Sequence, residues 1–143
     1  KKVSKRGRGR ILIVDDEELG RELIRCFLAE YADVIDMAAD GAEAVGLFEN
    51  ALMAKAPYDF ICLDILMPVM DGQEALKKMR RMEMEAGLTG GREAVIVMTT
   101  ALNSLQDIQE ALWRGDCNNY LVKPVLKDDL VSLLRKYHLI PAE

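Results

Sequence analysis

Short apolar runs that end in polar residues recur along the chain, and the stretches between them carry apolar residues at helical spacing. Ile11 to Val14 is a run of aliphatic residues, too short for a helix and typical of a strand buried on both faces. Leu19, Leu23, Ile24, Phe27 and Leu28 follow at the spacing of one helix face. Val34 to Ala38 fits a second strand. Asp40 and Glu43 then form a capping box, in which each side chain satisfies a free N–H at the other end of the first turn, and Ala44, Val45, Leu47 and Phe48 continue that helix. Phe60 to Leu63 is a third buried strand, closed by Asp64 and a loop with Met67-Pro68 and Asp71-Gly72. Asp71 and Glu74 repeat the capping signature before a helix toward Ala86, which Gly87-Leu88-Thr89-Gly90-Gly91 ends. Ala94 to Met98 is a fourth strand, Ser104 and Asp107 open a helix toward Trp113, Tyr120 to Val122 is a short fifth strand, and Leu130, Leu133 and Leu134 mark a last helix.

Strict alternation of strand and helix predicts an α/β fold, a doubly wound parallel sheet with helices on both faces, because each parallel crossover needs a connecting element of fixed hand. In such sheets ligands bind outside the carboxyl ends of the strands, where the strand order reverses. Asp15 and Asp16 follow strand one, Asp64 strand three, Thr99 and Thr100 strand four, and Lys123 strand five. All are expected at one cleft. Three carboxylates there repel, and either protonation of one group or capture of a divalent cation relieves them. Oxygen ligands without His or Cys suit Mg²⁺ or Mn²⁺. Taken alone, Asp15 and Asp16 read equally well as caps of the first helix; acids, hydroxyl and lysine together at the ends of different strands favour a site.

Composition narrows the classes. At 143 residues, 50% hydrophobic and 30% charged, the chain has the length of one domain with a real core. No apolar run approaches the roughly 18 residues of a membrane span, and no signal peptide opens the chain, so a soluble cytoplasmic protein is expected. Three cysteines with no C-x-x-C pair fit neither zinc nor a disulfide framework. Cys26 and Cys62, inside apolar runs, are expected to be buried, and Cys117, in a polar stretch, to be the accessible one. His138 is the single histidine, which excludes clustered imidazoles and a Ser-His-Asp triad and suits the end of a surface helix. Net charge is -5, but six of the first ten residues are basic, and residues 11–143 are left strongly acidic. An acidic domain repels nucleic acid, and the basic segment is expected to be a solvated tail. The first residue is not Met, which suggests a piece of something longer.

These residues resemble the receiver domains of two-component response regulators, the CheY-like domains. The Asp15-Asp16 pair after an apolar strand, the segment Asp64-Ile65-Leu66-Met67-Pro68-Val69-Met70-Asp71-Gly72, the Thr100-Ala101 step and the Lys123-Pro124 step stand in that family's order and spacing, over roughly Arg10 to Tyr137. The resemblance implies a flavodoxin-like sheet of strand order 2-1-3-4-5, with the domain over residues 10–138, a basic flexible tail over 1–9 and a C-terminal tail over 139–143. It implies that Asp64 is a phosphoacceptor served by a phosphohistidine on a sensor histidine kinase or histidine phosphotransfer protein. That role is a signalling one, in which the domain assists its own phosphorylation and dephosphorylation. The same resemblance has Asp16, Asp64 and the Leu66 backbone carbonyl binding Mg²⁺, with Asp15 acting largely through water, and Lys123 pairing with the phosphoryl oxygens. Thr100 is implied to turn its hydroxyl toward the new group, and Tyr120 to be the aromatic switch of a readout surface on helix four, strand five and helix five. Downstream effectors or a homodimer are the implied partners, and nucleic acid only through a separate output domain. The chemistry is consistent: a carboxylate is a competent nucleophile toward phosphorus, and the transfer needs in-line positioning and charge neutralisation above all.

Gly115-Asp116-Cys117-Asn118-Asn119 departs from the Gly-Ala and two polar residues common in that family before the aromatic. Either the loop is one residue longer or Asp116, tolerant of positive φ, takes the Gly position. Leu66 and Leu102 are expected to flank the path of a hydrolytic water without orienting it, which predicts a long-lived phosphorylated form. A haloacid-dehalogenase-like phosphohydrolase needs a second acid two residues after the nucleophile, where Leu66 stands. A degenerate receiver acting only as a protein-binding module is the other alternative, and phosphorylation of Asp64 separates it from a working one.

Overall fold

The computed structural model describes residues 9–101, 105–114 and 116–142; the basic residues before Gly9, together with Leu102, Ser104 and Gly115, lie outside the described residues. The elements are β1 (Arg10–Val14), α1 (Glu18–Leu28), a single 3-10 turn (Ala29–Tyr31), β2 (Val34–Ala38), α2 (Gly41–Met53), β3 (Phe60–Asp64), α3 (Gly72–Glu85), β4 (Val95–Thr100), α4 (Leu105–Trp113), β5 (Asn119–Val122) and α5 (Lys127–Lys136). All strand pairs are parallel and the order is β2-β1-β3-β4-β5, as expected. The order reverses at β1, so the cleft opens between β1 and β3.

Alternation along the strands sorts the core into two layers. Leu12, Val14, Ile61, Leu63, Ile96 and Met98 pack against Phe48 of α2, Leu76 and Met79 of α3 and Ile108 of α4. Ile11, Ile13, Phe60, Cys62, Val95 and Val97 face the other way, onto Ile24 and Leu28 of α1 and Leu130 and Leu134 of α5. Burial on both faces is why the strands read as unbroken apolar runs. Among the described residues no helix is long and apolar enough to cross a membrane.

Local chemistry sets the helix ends. Asp40 caps α2 by accepting from the Glu43 N–H at 2.8 Å, while Glu43 reaches back to the Ala39 N–H at 2.7 Å. Asp71 caps α3 through the Glu74 N–H at 2.9 Å. Helices α2, α3 and α5 stop in one manner, with Ala56, Leu88 and Leu139 N–H groups donating back to Ala51, Glu83 and Leu134 carbonyls. The residues at these stops are Lys55, Gly87 and His138, all left-handed, so His138 ends a surface helix as expected.

Four expectations are corrected. The apolar set of α1 is not one buried face: Ile24 and Leu28 are buried, but Leu19 is 85% and Leu23 50% exposed. Cys26, one helical step from Leu23 on that outward side, is exposed, whereas Cys117 is buried against the α2–α4 layer, the reverse of the composition-based reading. The C-terminal tail does not begin at 139, because Leu139 and Ile140 are buried in the layer that α1 and α5 share. Gly9 belongs to the folded part too, since its N–H donates to Asp33 and its carbonyl accepts from the Asp33 and Val34 N–H groups.

Candidate functional site at the carboxyl edge of the sheet

Asp64 is the last residue of β3 and lies in register with Thr99 of β4, whose carbonyl accepts the Ile65 N–H. Asp15 follows β1 directly, and its backbone N–H donates to Ala38 at the end of β2. Both acids are almost fully buried, while Asp16 is exposed, and one carboxylate oxygen from each of the three lies within 4.8 Å of the others. Lys123, the first residue after β5, brings its Nζ to 3.2 Å from Asp64 Oδ2 and 3.6 Å from Asp15 Oδ2. Thr100 ends β4, buried, with its hydroxyl donating to the Ala101 carbonyl at 2.9 Å. The cleft over these groups has a volume of about 270 Å³ and is lined by Asp16, Glu17, Asp64, Ile65, Leu66, Thr100, Ala101 and Lys123.

Asp15 does not cap α1: Glu17 takes the cap position without a side-chain bond, and Asp15 Oδ1 accepts the Glu17 N–H at 2.9 Å. Arg21, which sequence reasoning missed, fixes the same residue by donating to the Asp15 carbonyl at 2.7 Å. Tyr120 is not at the cleft. It packs half-buried on the α2–α4 layer, the side of the sheet opposite to Cys62, whose alternation Asp64 continues. Leu66 stands 58% exposed at the rim, and Leu102 lies outside the described residues.

Burial pushes the Asp64 carboxyl up to about 6, with Asp15 and Asp16 adding to the rise and Lys123 opposing it. Burial works against the Lys123 ammonium, but the Asp64 and Asp15 carboxylates outweigh it and raise its pKa. One ammonium among three carboxylates leaves the pocket negative, and a hard, all-oxygen donor set fits Mg²⁺ or Mn²⁺.

The loop after Asp64 is gripped at both ends. The Gly41 N–H at the start of α2 donates to the Met70 carbonyl at 3.1 Å, and the Gly72 N–H at the start of α3 donates to Ile65 at 2.7 Å. Between them Val69 is 83% exposed with φ at 68°, and the Met70 N–H closes a γ-turn onto the Pro68 carbonyl at 2.7 Å. A β-branched residue in that hand of turn is strained. Val69→Gly is therefore expected to raise the stability by about 1 kcal/mol, the relieved strain exceeding the entropy gained by the unfolded chain. A urea midpoint that stays put or falls would show that the turn holds no strain.

A second cleft, of about 310 Å³, lies at the opposite edge of the sheet between the end of α3 and the start of β4. Its charges are used internally. Arg80 donates to the Asp116 carbonyl, Glu83, the Ala94 carbonyl and Asn118, and buried Glu83 also accepts the Ala94 N–H. Asn118 Oδ1 takes the Ile96 N–H at 2.8 Å, so this seam fastens the segment before β5 onto β4.

The family model of the response regulator receiver domain matches residues 11–135. The two-component response regulator ORR41 of Oryza sativa subsp. japonica is 34% identical over 132 residues, covering 91% of this chain and 94% of that protein. The receiver domain of Ssk1, solved with the histidine phosphotransfer signaling protein Ypd1 of Saccharomyces cerevisiae, superposes with a TM-score of 0.77 at 28% identity, over 93% of this chain and 92% of that one. A chain of the CheX-CheY-BeF3-Mg complex of Borrelia burgdorferi gives a TM-score of 0.76 at 27% identity, over 92% and 90%.

Proposed function

This chain belongs to the response regulator receiver domain family of two-component signalling, and we propose that Asp64 accepts a phosphoryl group from the phosphohistidine of a partner protein. The observation that carries this reading is the buried Asp64 carboxylate, held 3.2 Å from Lys123 beside two further acids at the mouth of a cleft. Mg²⁺, held by Asp16, Asp64 and the Leu66 backbone carbonyl with Asp15 acting largely through water, would offset the negative charge that gathers as a phosphoryl group meets the carboxylates. Asp64 forms the new oxygen–phosphorus bond as the donor's nitrogen–phosphorus bond breaks, and the electron pair stays on the departing imidazole. Lys123 shifts its ammonium from the Asp64 carboxylate to the phosphoryl oxygens, a move that its flexible stem allows.

Thr100 then gives up the Ala101 carbonyl for the phosphoryl group, and the change at the end of β4 biases Tyr120 and the α4–β5–α5 surface toward the output state. Exposed Leu19, Leu66, Val69 and Leu126 all stand on segments that leave the carboxyl edge of the sheet, which supports a donor that docks an apolar face over the cleft. A histidine phosphotransfer protein or the matching domain of a sensor kinase is that donor; the pairing of Ypd1 with Ssk1 supports the class.

Incubation with Mg²⁺ and acetyl phosphate, read by intact mass, tests the reading. One added phosphoryl group, lost in Asp64→Asn and in EDTA, is expected; gain retained by Asp64→Asn would overturn it. The exposed Leu66 side chain also offers a hydrolytic water no hydrogen bond, so Leu66→Asn is expected to shorten the life of the phosphorylated form several-fold. An unchanged decay rate would remove Leu66 from the control of lifetime.

A further inference from the structure

We propose that Gly20 is a positioning residue of the acidic pocket, its missing side chain setting how far back the Asp15 carboxylate lies from Asp64 and Lys123. The inference rests on the reading of that pocket as a divalent-cation site. Gly20 sits in the first turn of α1, where glycine is the poorest helix former after proline. A Cβ built there would stand 2.8 Å from Asp15 Oδ2 and 3.3 Å from its Cγ, closer to the oxygen than real Cβ atoms come.

Asp15 is tethered where it lies. Its Oδ1 is held by the Glu17 N–H at 2.9 Å, and the backbone of Asp15 is held by Arg21 at 2.7 Å. Its Oδ2 faces Lys123 Nζ at 3.6 Å. A methyl group at position 20 therefore presses Oδ2 away from the helix and shifts the Asp15 carboxylate against Lys123, which alters the arrangement of the three acids whose oxygens lie within 4.8 Å of one another. Gly46 of α2 supplies the contrast. It too lies inside a helix, but a Cβ there meets nothing within 4 Å.

The test compares wild type, Gly20→Ala, Gly46→Ala, Asp15→Ala and Asp15→Ala/Gly20→Ala by calorimetric titration with Mg²⁺ alone and by thermal midpoint in EDTA. Gly46→Ala is expected to raise the midpoint by about 3 °C and to leave Mg²⁺ binding unchanged. Gly20→Ala is expected to show no such rise and to bind Mg²⁺ about tenfold more weakly, the size of effect typical when the support of a metal ligand is disturbed. With Asp15 already Ala, adding Gly20→Ala should raise the midpoint as Gly46→Ala does and leave any remaining Mg²⁺ binding unaltered.

A Gly20→Ala protein that gains stability like Gly46→Ala and binds Mg²⁺ like wild type overturns the proposal, as does a loss of affinity that persists without Asp15. Should Gly20→Ala fail to fold, rescue by Asp15→Ala supports the proposal and no rescue overturns it. If wild type binds no Mg²⁺, the cation reading fails, and the EDTA midpoints still decide whether Gly20 acts through Asp15.

Discussion

Replacing Gly72 by Ala is expected to remove about 3 kcal/mol of stability, the upper range for forcing atoms into a closed space. A Cβ at Gly72 would lie 2.2 Å from the Asp64 carbonyl oxygen and 2.9 Å from the Ile65 Cα. Both neighbours are backbone, so no side-chain rotation makes room. Either α3 must retreat, which breaks the 2.7 Å bond from the Gly72 N–H to the Ile65 carbonyl, or the end of β3 must move and carry Asp64 with it. Against a typical total of about 5–15 kcal/mol, such a loss leaves the domain partly unfolded at moderate temperature. Urea denaturation measures it, and a loss below about 1 kcal/mol would mean that the start of α3 is not tied to the site.

The second large effect is a dependence on pH centred on Asp64. Burial first, and Asp15 and Asp16 next, hold its folded-state pKa at about 6 against the ordinary 3.8, with Lys123 opposing. The folded protein thus holds this proton more tightly than the unfolded chain. The resulting stabilisation is complete below about pH 4 and is lost as pH rises through about 6. Without metal, the contribution of Asp64 to the thermal midpoint is expected to fall from about pH 4 to about pH 7, and Asp64→Asn, which has no proton to lose there, should flatten that fall and be the more stable protein at about pH 7.5. Mg²⁺ should raise the wild-type midpoint above about pH 6, where the carboxylate is free to bind it, and should raise that of Asp64→Asn much less. Melting curves across this range check both statements, and an equal slope in the two proteins would show that Asp64 is not the titrating group.

What was legible in the sequence follows from burial. Ile11–Val14 and Phe60–Leu63 announce themselves because strands covered on both faces leave no polar gaps, and every polar residue that ends such a run marks the carboxyl edge. That rule places Asp15, Asp16, Asp64, Thr99, Thr100 and Lys123 at the carboxyl edge, the family pattern singles out Thr100 over Thr99, and the sheet brings Asp15, Asp16, Asp64, Thr100 and Lys123 to one cleft. The illegible features depend on which way a helix turns or on partners far away in the chain. Leu19 and Leu23 share their helix with Ile24 and Leu28, and periodicity does not tell which side meets the sheet. Cys117 sits among polar residues yet is buried, because Asn118 beside it substitutes its side chain for a ladder bond to Ile96 and draws the segment onto β4. Arg80 reaches that Asn across 38 positions, a pairing no local pattern shows. Val69 looks like any loop valine until its backbone is seen. Gly20 looks like a flaw in a helix until Asp15 is found against it.

The central claim is that the phosphoryl group goes to Asp64. Its most direct test is reduction of the phosphorylated protein with borohydride, which converts an aspartyl phosphate to homoserine, followed by peptide mapping. Homoserine is expected at position 64 and nowhere else, and none when EDTA replaces Mg²⁺. Homoserine at Asp15 or Asp16, or a phosphoryl group found on Thr100 with Asp64 unchanged, would contradict it.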